Sequence, residues 1–213
     1  MLTTLLLTAV VSVPDKTDFT RTYRPDTTDH YELKIDSPQG DYAMTIKFDV
    51  KTEKLKGGKC KTVVTVRGAD NKGQERTMDM PPMPVTFGKH GIPLDGEHFE
   101  QAGLIVFVGL STLFQPDKSL DDGDTFQHEH KTDDYKLSID GKYTGEEEID
   151  GKEYNVLESK IDAAPTSFSP AKLETKAYFD KDRQRIVMTR STIQVLENTF
   201  SLTLTLKDQL SKL

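Results

Sequence analysis

The chain reads as a mainly-β domain of antiparallel strands in two related halves with one apolar helix between them. Three observations predict this. Runs of alternating apolar and polar residues recur along the chain, and short Gly, Asn and Asp turn signals separate them. One continuously apolar segment breaks the rhythm near the middle. A length of 213 residues suits a single β domain, and 35% apolar with 30% charged residues fits sheets with one buried and one wet face.

The apolar run Leu2 to Val13 has the length of a signal-peptide core and is too short to span a bilayer. Val10 and Ser12 suit cleavage after Ser12, although no Lys or Arg precedes the run. No Cys follows it, which argues against a lipid anchor. Residues 1–13 are thus expected to be a signal peptide, and export from a bacterial cell, to the periplasm or beyond, follows as an expectation. A first strand rich in Thr, Leu and Val is the alternative. Residues 14–30, polar and with two prolines, read as an extended leader. Residues 31–213 read as one β domain: a first half 31–99, a connecting helix 100–114 and a second half 120–213.

Within the first half, Tyr31 to Ile35 alternates. Tyr42, Met44, Ile46, Phe48 and Val50 then fall on one face, with Thr45, Lys47 and Asp49 on the other. Lys56-Gly57-Gly58-Lys59 predicts a turn and Cys60 to Arg67 a returning strand. After a turn at Asp70 to Gly73 comes a strand over Glu75 to Met80, and Pro81, Pro82 and Pro84 are expected to end pairing. The lone Cys60 makes no internal disulfide and reads as a small buried hydrophobe.

From Glu100 to Phe114, Leu104, Phe107, Val108 and Ser111 share a helical face, while Ile105 and Val106 keep a buried strand in play. Gly103 and Gly109 weaken a helix, which suits either a mobile lid or close packing on a sheet.

The second half begins with a turn at Asp121 to Asp124 and a short strand, Phe126 to Glu129. Strands over Tyr135 to Tyr143 and Glu146 to Ile149 lead to Asp150-Gly151, a type I′ hairpin dipeptide, and Lys152 to Ile161 returns. Leu173 to Phe179 and Arg185 to Leu196 make a further hairpin. In the last strand Phe200, Leu202, Leu204 and Leu206 alternate with Ser201, Thr203 and Thr205.

Laid on itself with Asp41 against Asp134, the chain also matches Tyr42 with Tyr135, Ile46 with Ile139, Gly58-Lys59 with Gly151-Lys152, and Val63-Val64 with Val156-Leu157. The identities are few, but they fall on inward apolar positions and the turn Gly. Two copies are too few for a solenoid, so the halves must share a sheet or pack face to face.

The segment from Ser119 to Ile161 resembles the second half of an uncharacterised family of exported bacterial proteins. Gly123, Asp124, Thr125, Phe126, Tyr135, Leu137, Gly151 and Lys152 carry the likeness, with Phe126 where Trp is more usual. In architecture the chain also resembles the LolA-like lipoprotein carriers. That resemblance implies a large curved antiparallel sheet, or open half-barrel, with the apolar helix on its concave face. It implies no catalytic activity.

A net charge of −7 with no basic stripe argues against nucleic acid or an anionic membrane surface as partner. His128-x-His130 places two imidazoles on one side of a strand, a spacing some zinc sites use; a third ligand would have to come from His30, His90, His98 or a carboxylate, and the sequence does not place one. The blander reading is a solvated strand start after an acidic turn. Asp121 to Asp124 and Asp180 to Asp182 lack the ligand spacing of an EF-hand and read as turns. Ser111 lacks the second Gly of a nucleophile elbow. No catalytic residue, cofactor or phosphate-cradling loop is expected.

The favoured expectation is a non-enzymatic envelope protein that carries an apolar ligand such as a lipid. Met44, Ile46, Phe48, Val50, Leu104, Phe107, Val108, Leu202, Leu204 and Leu206 are the candidate lining. A structural or protein-interaction domain with a filled core is the alternative, and a metal-dependent enzyme at His128 and His130 is a third. Oligomeric state is not legible in the chain.

Overall fold

A computed structural model describes residues 16–40, 42–71, 74–76, 80–94, 101–133, 135–165 and 169–207. The run read as a signal peptide lies outside these residues, as do Asp41, Asp134 and His98 and the side chain of Leu104. In chain order the elements are β1 (Thr17–Asp18), β2 (Thr28–Asp36), β3 (Ala43–Lys56), β4 (Lys59–Asn71), β5 (Gln74–Arg76), β6 (Met83–Phe87), α1 (Gln101–Ser111), β7 (Ser119–Leu120), β8 (Thr125–Lys131), β9 (Tyr135–Ile149), β10 (Lys152–Pro165), β11 (Ala171–Asp180), β12 (Arg185–Val195) and β13 (Asn198–Lys207).

The alternation becomes one large antiparallel sheet. Its order is β5-β4-β3-β2-β13-β12-β11-β10-β9-β8, with β6 also paired to β4. Among the described residues the ladder does not close on itself, so the sheet is an open half-barrel with one helix, as expected. The chain's last strand pairs with β2, Leu204 facing Leu33, which joins the two halves in the middle of the sheet.

The two long hairpins match in detail. Val50 pairs with Val64 and Lys56 with Lys59 in the first; Tyr143 pairs with Leu157 and Ile149 with Lys152 in the second. Each pair in the second hairpin is the counterpart of one in the first under the Asp41-on-Asp134 alignment. Each hairpin also shifts register near the same height, between Thr52 and Lys54 in one and between Asn155 and Leu157 in the other. A further shift, at Lys47 and Phe48, occurs in the first alone of the two. The turns are as expected: Gly57 and Gly58 have φ of 58° and 73°, Asp150 and Gly151 of 52° and 77°, the signs a type I′ turn demands.

Of the boundaries that differ from the sequence reading, three bear on how the elements pack. Strand β2 begins at Thr28, inside the polar stretch read as leader, because Thr28 to His30 pair with Lys51 to Asp49 of β3. Pro84 does not end pairing but sits inside β6, opposite Val63. Strand β6 lies at the sheet's edge, where a missing N–H costs no ladder bond. The helix is shorter than 100–114, ending at Ser111 in a tight turn whose Thr112 and Leu113 amides bond the Gly109 and Leu110 carbonyls.

Helix α1 is apolar on all sides and accordingly buried: Val106, Phe107, Val108 and Leu110 are all 5% exposed or less. Gly109 explains how it sits so close to the sheet. A Cβ there would stand 3.1 Å from a Leu33 methyl, tighter than ordinary contact. Close packing, rather than the softness of a lid, accounts for this glycine. Phe107 meets Tyr135 edge-on at 4.9 Å on the far side.

The N-terminal segment seals one end of the half-barrel. Phe19, fully buried, wedges between Tyr143 and Phe179 at 5.2 and 4.9 Å. Its carbonyl accepts from Gln115 Nε2 at 3.0 Å, while β1 pairs with β7. The Tyr23 hydroxyl donates to the Gly88 carbonyl at 2.9 Å, and burial pushes its pKa up to about 12. The sequence suggests a polar leader here; two aromatics, Phe19 and Tyr23, and their buried partners Gln115 and Gly88 make it a strap.

Candidate ligand-binding cavity

A cavity of about 820 Å³ lies between α1 and the concave face of the sheet, away from the Phe19 strap. That volume falls within the ~300–1,000 Å³ typical of small-molecule sites. Its depth is apolar. Helix α1 contributes Ile105, Phe107 and Val108, and the sheet contributes Ile35, Ile193, Val195 and Leu202 from inward positions of β2, β12 and β13. Tyr42 and Phe200, edge-on at 6.3 Å, stand nearer the mouth.

Small side chains make the room. Ala163 and Ala171 are partners across β10 and β11, and both line the cavity. Their inward neighbours Ile161 and Leu173, also paired, fill the same face one step deeper. An inward alanine where the alternation otherwise supplies Ile or Leu was the sequence signal available for this cavity.

The mouth is built by turns. The β2–β3 connection brings Ser37, Pro38 and Gln39; the β12–β13 turn brings Glu197, and the start of β13 brings Asn198 and Thr199; Ser169 precedes β11. Neither turn was singled out in the sequence. Ser37 is held in place, its amide donating to the Tyr42 carbonyl at 2.9 Å and its hydroxyl accepting from the Tyr42 amide at 3.1 Å.

Of the residues expected to line a ligand site, Phe107, Val108 and Leu202 do border the cavity. Ile46, Phe48, Val50 and Leu204 are buried core residues that do not border it, and Met44 and Leu206 pack against that core half-buried. The inward face of β3 is filled by its own neighbours: Phe48, for example, stacks on Tyr31 at 5.5 Å.

His90 converges with His128 and His130. His128 and His130 point to the same side of β8, and His90 from the segment after β6 meets His128 with ring centroids 4.4 Å apart. Among the described residues no group of three His, Cys, Asp or Glu side chains is arranged to hold an ion. Two of the rings are committed to backbone: His90 Nδ1 bonds the Gln115 carbonyl at 2.9 Å and His130 Nε2 the Leu94 carbonyl at 3.2 Å. Phe114 packs against both His90 and His128 at 5.3 Å. Burial first, then the neighbouring His90, His130 and Lys89, push the His128 pKa down to about 4. The cluster is an aromatic seam joining the β6 side of the half-barrel to its β8 edge.

The acidic stretches are structural. Asp124 accepts from the Asp121 amide at 2.9 Å, closing its turn. Asp180, 2% exposed, holds Lys152 at 2.7 Å and the amides of Asp182 and Arg183. Glu146 and Glu147 pair with Lys181 and Lys176. Ser111 donates to the Phe107 carbonyl within the helix at 2.9 Å. None of these offers a nucleophile or an acid–base pair at the cavity.

No protein-family model and no curated protein matches the chain. Several solved structures do. One is a Bacteroides fragilis protein with a YmcC-like fold, considered to be exported, at 8% identity, covering 89% of this chain and 98% of that one with a TM-score of 0.41. Another is the hypothetical lipoprotein YmcC of Escherichia coli K12, at 10% identity, 90% and 92% coverage and a TM-score of 0.36. A third, from Parabacteroides distasonis and considered a lipoprotein, has 11% identity, 91% and 99% coverage and a TM-score of 0.38. At these levels the likeness carries no statement about ligand or activity.

Proposed function

We propose that this protein is an exported, non-enzymatic envelope module that takes an apolar ligand such as a lipid into the cavity between α1 and the sheet. The observation that carries the reading is an apolar cavity of about 820 Å³ between α1 and the sheet, floored by Val108, Ile193 and Leu202 and bordered by the exposed residues Pro38, Gln39, Glu197, Asn198 and Thr199. Burial of hydrocarbon supplies affinity without any catalytic group, at ~0.8 kcal/mol per CH₂. The apolar run Leu2 to Val13 supports export. No helix among the described residues is long and apolar enough to cross a membrane. The matched registers of the β3–β4 and β9–β10 hairpins support descent of the two halves from one duplicated unit.

Native mass spectrometry of protein purified without detergent tests the carrier reading. A bound mass in the lipid range is expected, lost in the double variant Ala163→Leu/Ala171→Leu, which fills the cavity from two paired strands. A wild-type protein with no bound mass and no affinity for lipophilic dyes would leave a structural or protein-interaction domain as the better account.

A further inference from the structure

The cavity is divided chemically along its length, and the division points to the class of its occupant. Its depth, at Val108, Ile193 and Leu202, offers hydrocarbon alone. Its mouth offers the hydroxyl and amide groups of Gln39, Ser169, Asn198 and Thr199, with Glu197 as the sole charge among the described lining residues. No Lys, Arg or His lines the cavity among those residues. A molecule that matches this wall has an apolar tail and a polar head. A head with a full negative charge would sit near a carboxylate of the same sign, with no cation among the described lining residues to offset the repulsion. Hydroxyl and amide groups suit an uncharged head, and Glu197 suits a cationic one.

We infer that the cavity takes an acyl-chain amphiphile whose head is uncharged or cationic, and that Glu197 at its mouth selects against an anionic head. This rests on the cavity being the ligand site. Glu197 is exposed, on a two-residue turn between Val195 and Asn198, so its field is screened and the selection modest.

Displacement of a lipophilic fluorescent dye by a monoacylglycerol, a primary alkylamine and a fatty acid of equal chain length, at pH 8 and below micelle-forming concentrations, tests this. The fatty acid is expected to bind about threefold to fivefold more weakly than the monoacylglycerol, the range of an exposed charge pair. Glu197→Lys is expected to abolish or reverse that gap and Glu197→Gln to narrow it, with unchanged thermal midpoints showing that the variants fold. A fatty acid that binds wild type as tightly as the monoacylglycerol, or a ranking that Glu197→Lys leaves unmoved, overturns the inference while the cavity stands as a ligand site. If neither the dye nor any of the three binds, the site itself falls and the inference with it.

Discussion

Thr112 and Thr189 meet hydroxyl to hydroxyl at 2.8 Å, 2% and 1% exposed, and so tie the end of α1 to the centre of the sheet on β12. Thr112 donates its one hydroxyl proton to the Gly109 carbonyl at 2.6 Å, which makes Thr189 the donor between them. Thr112→Val therefore strands a buried donor. It is expected to cost about 1–3 kcal/mol in urea unfolding, with Thr112→Val/Thr189→Val recovering part of the loss. A double variant no more stable than the single one would show that the pair does not couple helix to sheet.

Gly141 faces Phe126 across β9 and β8, and the ring lies over the glycine. A Cβ at Gly141 would stand 2.4 Å from the ring and 2.6 Å from the Glu158 carbonyl, the latter being backbone that does not yield cheaply. Gly141→Ala is expected to destabilise by about 1–3 kcal/mol, the usual range of overpacking. Thermal unfolding of the variant, with no change beyond error, would refute this.

His128 sets an acid limit. Its folded pKa of about 4 lies below that of a free imidazole, so the neutral ring is the one the fold accommodates. Its contribution is full above about pH 6.5, declines as pH falls toward 4, and changes no further below that. His128→Gln is expected to unfold with a shallower loss of stability over that window, by about 1–2 kcal/mol once solvent screening of the partly buried ring is allowed for. Equal slopes for wild type and variant in urea midpoints against pH would remove His128 as the cause.

Leu196 is strained where it need not be. It is 70% exposed and has a φ of 55° at the first central position of the two-residue β12–β13 loop, where glycine is at ease. Leu196→Gly is expected to raise stability by about 1 kcal/mol, read as a higher urea midpoint with an unchanged slope. A lower midpoint would mean that the leucine is held by contacts stronger than its backbone strain.

Most strands could be read directly because each has one face in the core. Phe48 and Ile46 are buried as their spacing requires, and the Gly57-Gly58 and Asp150-Gly151 turns follow from backbone freedom. The strap was illegible because Phe19 and Tyr23 stand in a polar stretch with no period: the burial of Phe19 comes from Tyr143 and Phe179, far along the chain. The mouth was missed for a related reason. Leu196-Glu197 has no turn chemistry of its own, and pairing of β12 with β13 imposes the loop on it.

The amino-acid order alone determined a mainly-β chain of hairpins around one apolar segment, since period-two burial and left-handed turns are local properties. It also determined that His128 and His130 share a side, because strand geometry dictates that. Which inward side chains border open space was decided only by the tertiary structure. Alternation records that a residue faces inward, but not what stands opposite. Phe48 faces Tyr31 and is core, whereas Ala163 and Ala171 face each other beneath α1 and leave the cavity.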